Sequence, residues 1–171
     1  MNPRSRRAAG RAESRGFTVG STLALHRGVM EAPLRSTLLL GLLLLAVATP
    51  ARAQGVDEAG ESAMLARINA MRAAQQLAPL ERHDGLDQAA LAHSQDMAAS
   101  RLLAHVSPRT GNPGDRVRAA DVHADRIAEN IARRESTLEA HQSILESEAH
   151  RAQLLDPQMT HIGLSAVEVG W

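Results

Sequence analysis

The chain has 171 residues with no Cys, no Tyr, one Phe and one Trp, and its 19 basic and 19 acidic side chains cancel to a formal charge of zero. The absence of Cys excludes a scaffold held by disulfides, so the interior must be built from aliphatic side chains. The scarcity of aromatic residues argues against a carbohydrate or nucleic-acid site that relies on stacking.

The first 29 residues are rich in Arg and show no hydrophobic periodicity. A start of translation at Met30 would instead give a short N-terminus with the features of an export signal. We therefore predict that residues 1–29 are a gene-model extension or a disordered basic leader, and that they contribute nothing to the fold.

Residues 30–53 are predicted to be a secretory signal peptide. Arg35 precedes a Leu-rich run, and Ala51-Arg52-Ala53 then forms a small-residue cleavage site of the A-x-A type. The apolar run is shorter than the roughly 20 residues that a transmembrane helix needs, so an uncleaved anchor is the weaker alternative. Cleavage before Gln54 predicts a secreted protein, extracellular or periplasmic, with no stable membrane span.

Cleavage would also change the charge of the protein. Residues 54–171 hold 11 Arg against 17 Asp and Glu, which gives a net charge of −6. A mildly acidic domain is a poor partner for nucleic acid or for an anionic membrane. The remaining length suits one domain.

The mature chain is predicted to open with a short acidic linker, residues 54–61, and then a helix with Ser62 as its N-cap. Apolar residues recur at helical spacing and leave Arg67 and Arg72 off the buried stripe. These apolar residues are Met64, Leu65, Ile68 and Met71.

Further helices and one strand are predicted downstream. One helix runs from Asp84 or Gly85 to Leu102, and the capping box Ser-Thr-Leu-Glu opens another at Ser136. A short helix then ends before Pro157, and the alternating tail predicts a strand. This order indicates an α+β fold, whose other strands come from the loop-rich middle or from beyond residue 171.

The mature chain carries seven His but no stand-alone catalytic motif. His93 lies on an apolar helical stripe and is predicted to be a buried, hydrogen-bonded core residue. His105 lies at the start of a loop rich in Pro and Gly, where functional groups often collect. Spacing alone does not decide whether it belongs to a site. Polar surroundings predict solvated side chains for His83, His123 and His141.

Seven short motifs in a fixed order resemble the CAP superfamily (the sperm-coating-protein, or SCP, domain) in its bacterial secreted branch. They run from M-L-A-R-I-N-A-M-R-A-A-Q-Q-L-A-P-L through A-L-A-H-S-Q-D-M-A, L-L-A-H-V-S-P, D-R-V-R-A-A, I-A-E-N-I-A and S-E-A-H-R-A-Q-L-L-D-P to M-T-H-I-G-L. Each motif is weak alone, but their order over residues 62–168 makes the resemblance specific.

The resemblance implies an α-β-α sandwich, in which a small antiparallel sheet has helices on both faces. The domain would be residues 62–171. Its closing strand would lie beyond residue 171, so a C-terminally truncated domain is expected. Of the two glycines that the family places before its last strands, this chain keeps Gly163 and has Ser165 in place of the second.

The resemblance also implies a cleft that gathers two His and usually two Glu. The second glutamate is less certain, because strict alignment gives Ser147 and its neighbours are Glu146 and Glu148. Of these we favour Glu146. The motifs match the other three cleft residues to His105, Glu129 and His150.

Three functions are compatible with such a cleft. The predicted function is a secreted binding or interaction module, either non-enzymatic or of unproven activity, whose ligand is a small molecule, a lipid or cell-envelope material. The alternative is a metal-dependent hydrolase, in which His105, His150 and Glu129 bind Zn²⁺ or another divalent ion. In the third, the same side chains form a hydrogen-bonded cluster that binds a ligand or stabilises the cleft.

Overall fold

A computed structural model describes residues 15–25 and 55–170 of the chain. The predicted signal peptide, residues 30–53, lies outside the described residues. No helix within those residues is long and apolar enough to cross a bilayer. The elements in chain order are β1 (Arg15–Leu25), α1 (Glu58–Ala74), β2 (Glu81–Arg82), α2 (Asp84–Ser100), α3 (Pro113–Ala119), β3 (Arg126–Arg134), α4 (Thr137–Glu146), α5 (Glu148–Leu154) and β4 (His161–Gly170).

The sheet has four strands in the order β2-β4-β1-β3. β1 lies antiparallel between β4 and β3, so that Thr22 is opposite Gly163 on one side and Glu129 on the other. The short β2 pairs in parallel with the start of β4. α2 packs against β4 and β1, while α4 packs against β3 and β1. The predicted α+β sandwich with a mainly antiparallel sheet is therefore confirmed.

Two hydrophobic clusters flank the sheet, one against each helical layer. Successive residues of a strand face opposite sides, so in β3 Ile127 faces the smaller cluster and Ala128 the larger one. By the same alternation Glu129 shares the face of Ile127, and Asn130 shares that of Ala128. The larger cluster includes Met64, Ile68, Ile144, Leu154, Ile162 and Leu164, and the smaller one consists of Leu86, Val117 and Val122.

The N-terminal segment differs from the sequence prediction. Residues 1–29 are predicted to contribute nothing to the fold, but Arg15–Leu25 form an interior strand of the sheet. Backbone pairing with β3 and β4, more than 100 residues further along the chain, defines this strand. Hydrophobic periodicity within one segment does not indicate which distant strand that segment pairs with. The N-terminal segment thus supplies an interior strand of the sheet.

The first helix also begins earlier than predicted. Its N-cap is Asp57 rather than Ser62, and the Asp57 carboxylate accepts a hydrogen bond from Gly60 N at 2.9 Å. Asp57 N in turn donates to Ala166 O of β4 at 3.0 Å. The predicted linker, residues 54–61, therefore contains the start of α1 and attaches it to the sheet, since an Asp N-cap satisfies a first-turn amide.

Arg72 is buried, although helical periodicity predicts it off the apolar stripe. Its side chain is fully enclosed and donates to four backbone carbonyls at 2.7–3.1 Å. Three of these carbonyls follow or end α5, so one guanidinium ties α1 to the chain that leads into β4. The prediction is wrong because three of the four acceptors come from a segment more than 80 residues further along the chain. They are Ala78 O, Leu154 O, Asp156 O and Met159 O.

We expect Gly163→Ala to lower the free energy of unfolding by about 3 kcal/mol or more, as overpacking against rigid backbone does. A Cβ at Gly163 would overlap the backbone carbonyl of Leu86 and lie 2.5 Å from Asp87 N. Urea unfolding of the purified chain measures the change.

Ser165→Ala is the matched control for this substitution. The Ser165 hydroxyl is buried and has no hydrogen-bond partner in the described part of the chain, so its removal should change stability by less than about 1 kcal/mol. Equal losses for the two variants would contradict a specific need for glycine at position 163.

Candidate functional site

Glu129 is the buried centre of a polar cluster on the α2 and α3 face of the sheet. Its side chain is 2% exposed, which agrees with its place in the apolar run from Ile127 to Ile131. Oε1 accepts a hydrogen bond from Arg116 Nη2 at 2.6 Å, and Oε2 accepts one from His105 Nδ1 at 2.9 Å. Both carboxylate oxygens therefore have partners, as a buried charge requires.

Arg116 holds this cluster together from α3. Besides Glu129, its guanidinium donates to Gly111 O at 2.7 Å and to His105 O at 3.0 Å. α3 is positioned by Asn112, whose side chain caps Asp115 N in a reciprocal capping box. Arg116 is not predicted as a site residue from the sequence, since a lone Arg in a short polar helix carries no local sign of burial.

The contact with Glu129 determines which nitrogen of His105 carries its proton. A carboxylate can only accept, so His105 Nδ1 donates, and Nε2 is the ring nitrogen that this contact leaves unused. The His105 side chain is 51% exposed and lines the cleft. A buried ion pair thus orients an accessible imidazole.

His93 lies behind the cluster and is neutral. It is 1% exposed, its Nε2 donates to Ala104 O at 2.9 Å, and the same nitrogen is 3.8 Å from Glu129 Oε2. Burial lowers the pKa of His93, despite the nearby Glu129 charge. The prediction of a buried, hydrogen-bonded core histidine is confirmed, and the residue lies next to the buried carboxylate of Glu129.

A second buried carboxylate fastens the loop that carries His105. Asp96 of α2 is 2% exposed and lies 2.6 Å from Arg109 Nε, while Thr110 Oγ1 donates to it at 3.3 Å. Burial alone would raise the pKa of Asp96, but hydrogen bonds from Ser107 and Thr110 and the charge of Arg109 hold it below its usual value. Asp96 and Arg116 therefore hold the loop from two sides.

An open cleft of about 440 Å³ lies beside His105 and Glu129, at the β3 edge of the sheet. Its walls come from the His105 loop, the start of α3, β3 and the end of α5. None of the described residues that line it is a Phe, Tyr or Trp. The lining residues are His105, Pro113, Arg126, Ile127, Ala128, Glu129, Gln153, Asp156 and Met159.

The fold and the motif order agree with a comparison against protein families. The model of the cysteine-rich secretory protein family, CAP, matches residues 65–170. The chain belongs to this family. It does so without any cysteine, so no disulfide stabilises this CAP domain.

Two curated relatives and one solved structure resemble the CAP domain. The uncharacterized protein YkwD of Bacillus subtilis (strain 168) is 36% identical over 111 residues, which cover 64% of this chain and 43% of YkwD. The uncharacterized membrane protein YlbC of the same organism is 32% identical over 110 residues, or 64% of this chain and 32% of YlbC. The 1.5 Å structure of an extracellular protein containing a SCP domain from Bacillus anthracis str. Ames has a TM-score of 0.60 and 28% identity over 66% of this chain and 40% of that one. The chain therefore spans less than half the length of each.

Of the four predicted cleft residues, the structure brings together His105 and Glu129 and leaves out the other two. His150 is absent from the cleft lining, and its contact with β3 is through its backbone oxygen, 3.4 Å from Asn130 Nδ2. Glu146 is exposed, and its carboxylate accepts from Gln142 of its own helix at 2.7 Å. The residue of α5 that lines the cleft is Gln153, one turn after His150.

The predicted metal set is not assembled in this arrangement. Glu129 uses both oxygens on Arg116 and His105, and His150 lies outside the cleft lining. Within the described residues no three His, Asp or Glu side chains converge in a way that suits a metal ion. The residues do not fit a zinc centre of three protein ligands, and a bound metal stays a prediction.

His141, predicted to be solvated, is 2% exposed between α4 and α1. Burial lowers its pKa to about 4, with a contribution from the charge of Arg67. Since the unfolded pKa is about 6.5, the folded state binds fewer protons than the unfolded state between these values. The stability linked to His141 is full above pH 6.5 and is lost as the pH falls toward 4.

We therefore expect acid to destabilise the wild-type CAP domain more than a His141→Leu variant. The difference in free energy of unfolding between the two should shift by about 2–3 kcal/mol from pH 7.5 to pH 4.5. Urea unfolding at the two pH values measures it. Parallel changes in both proteins would show that other groups account for the acid sensitivity.

Proposed function

We propose that the CAP domain is a secreted binding module, extracellular or periplasmic, that takes a small-molecule, lipid or cell-envelope ligand in the His105–Glu129 cleft. The observation that carries this proposal is the arrangement of His105. Its ring is half exposed in an open cleft, while its partner Glu129 is buried and paired with Arg116. A group oriented in advance loses little freedom when it binds.

One similar solved structure supports the proposed location. The Bacillus anthracis structure is that of an extracellular protein with an SCP domain. The signal peptide proposed for residues 30–53, with cleavage before Gln54, would deliver this chain to the same kind of compartment.

A metal-dependent hydrolase is the alternative, and the described geometry gives it less support. Catalytic zinc is held by three protein ligands with one position left open. The cleft offers His105 Nε2 but no free oxygen on Glu129. No metal-based reaction step follows from this arrangement, and no enzymatic activity is proposed.

Retention on isolated cell walls and on lipid vesicles tests the binding function. The wild-type domain should sediment with one of these materials, and His105→Ala should reduce the sedimented fraction several-fold. His123→Ala is the matched control, because His123 is exposed and absent from the cleft lining. Equal retention of both variants would contradict a ligand site at His105.

A titration with Zn²⁺ tests the hydrolase alternative in the same preparation. A metal that binds the native state raises the melting temperature by mass action. For a binding module we expect no such rise in protein purified without a chelator. A rise that is lost in His105→Ala would favour the metal site instead.

A further inference from the structure

Three large apolar side chains are exposed on the loop that carries His105. Leu102 is 56% exposed, Leu103 44% and Val106 63%, and all three lie within five consecutive residues. The other exposed large apolar side chains of the described chain lie outside this apolar loop, residues 102–106. A single exposed apolar residue is ordinary, but a cluster of them marks a surface that meets a partner.

Hydrogen bonds fix the backbone of the apolar loop. Arg101 ends α2 in the left-handed conformation, with a φ of 56°. Ala104 O accepts a hydrogen bond from His93 Nε2 at 2.9 Å. His105 O accepts one from Arg116 Nη2 at 3.0 Å. Since both carbonyls are held by buried side chains, the loop does not turn its apolar side chains toward the interior.

The apolar loop does not form the wall of a described cavity. Its three exposed apolar side chains are absent from the linings of the cleft beside Glu129, the cavity between α1 and α4 and the groove between α2 and α3. Small ligands bind in concave sites of that kind. A stable contact between protein chains buries about 800 Å² on each partner, from roughly 20–30 residues, far more than three side chains provide. The boundary of a lipid bilayer accepts a few apolar side chains without such an area.

The charge of this part of the chain suits an anionic lipid surface. Residues 97–114 contain two Arg and no Asp or Glu, although residues 54–171 together carry a net charge of −6. Both of these residues, Arg101 and Arg109, are exposed. The partner of Arg109 is the buried carboxylate of Asp96, so the guanidinium is the exposed member of that ion pair. Basic groups beside apolar ones favour membranes with anionic headgroups.

We propose that the apolar loop docks the domain on an anionic lipid surface, with Leu102, Leu103 and Val106 inserted at the headgroup boundary. Removal of their exposed area from water drives the insertion. The proposal goes beyond the binding function of the cleft, because docking by the loop requires no ligand there. Since His105 belongs to the same loop and lines the cleft, docking brings the cleft close to the membrane.

Sedimentation with vesicles of phosphatidylcholine, with and without phosphatidylglycerol, tests the docking surface. The parent protein is the full-length chain with residues 38–47 replaced by Gly and Ser, so that the Leu-rich run of the predicted signal peptide does not itself bind vesicles. Phosphatidylglycerol should raise its partition coefficient about fivefold, as one basic group at the surface does. Leu102→Ser and Val106→Ser should each lower the coefficient about fivefold, because each removes roughly half of an aliphatic side chain from the contact.

Leu138→Ser is the matched control. Leu138 is 54% exposed but lies on α4, in the helical layer on the other face of the sheet, so this variant should bind vesicles like the parent. All three variants should keep the melting temperature of the parent. No vesicle binding by the parent, or equal binding by Leu102→Ser and Leu138→Ser, would overturn the proposal. A concentration-dependent dimer in light scattering that Leu102→Ser abolishes would assign the loop to a contact between copies and overturn it as well.

The His105→Ala variant separates the docking surface from the cleft. If it changes retention on neither cell walls nor vesicles while Leu102→Ser loses vesicle binding, docking stands and the binding function of the cleft fails. If it loses retention while Leu102→Ser binds vesicles like the parent, the cleft stands and the docking surface fails.

Discussion

Glu129→Gln is expected to lower the free energy of unfolding of the CAP domain by about 3–5 kcal/mol, the usual cost of removing one partner of a buried ion pair. The substitution keeps the size of the side chain but leaves the charge of Arg116 uncompensated in the interior, where its side chain is 2% exposed. It also removes the charge that orients His105. Urea unfolding measures the loss, and sedimentation with cell walls measures the effect on binding.

Glu146→Gln is the matched control on the other glutamate that the family motifs suggested. Glu146 is exposed and bonds only to Gln142 on the same helix, among the contacts the structure describes, so its substitution should change stability by less than about 0.5 kcal/mol. If the two variants lost the same stability, Glu129 would not be the buried centre of the cluster.

A double substitution separates the charge of the pair from its packing. Replacing Glu129 with Leu and Arg116 with Met removes the ion pair without leaving an uncompensated charge. This double variant should lose less free energy of unfolding than Glu129→Gln alone. The double variant should nevertheless lose cleft binding, because His105 no longer has its carboxylate partner. A double variant that retained binding would show that His105 is oriented by its loop alone.

Removal of residues 1–53 is expected to lower the free energy of unfolding of the domain by several kcal/mol, because β1 is lost from the sheet. β1 pairs along nine residues of β3 and ten of β4. Each net backbone hydrogen bond contributes about 0.5–1.5 kcal/mol, against a total stability of about 5–15 kcal/mol for a domain. Without β1, both neighbouring strands expose an unpaired edge, which promotes aggregation. Thermal unfolding, size-exclusion chromatography and amide exchange in β3 and β4 measure the effect.

The control is a chain that lacks residues 1–14, which retains β1 and should unfold like the full chain. The same experiment bears on export, because cleavage before Gln54 would release Arg15–Leu25 from the exported product. A fragment of residues 54–171 that unfolds cooperatively at the midpoint of the full chain would contradict the contribution of β1. N-terminal sequencing of the exported protein would then show whether the secreted domain begins at Gln54.

Several features of the site could be predicted from the sequence. A Glu and an Asn between Ile127 and Ile131 are unusual for a buried strand, and the motif order connected Glu129 with His105. The apolar helical stripe correctly predicted that His93 is buried. These predictions succeeded because each depends on the residue's immediate neighbours or on a family pattern, both of which a single sequence contains.

Other members of the site could not be predicted in this way. Arg116 and Asp96 have ordinary polar neighbours, and only the approach of the His105 loop makes them buried partners. His150 matched a motif, but the orientation of α5 places Gln153 in the cleft instead. Which residue of a helix faces a cleft depends on how that helix packs, and a shift of one turn leaves the sequence pattern unchanged.

The sequence by itself determined the helices, the final strand, the family and two residues of the cleft, because periodicity, capping residues and motif order are local properties. The tertiary structure alone decided that Arg15–Leu25 is an interior strand, that Arg72 and His141 are buried, and that Gln153 rather than His150 lines the cleft. Each of these depends on hydrogen-bond partners or packing from distant segments. The segment R-I-A-E-N-I-A combines both kinds of information: its pattern marks Glu129 as exceptional, and the fold supplies Arg116 and His105 as the partners that make its burial stable.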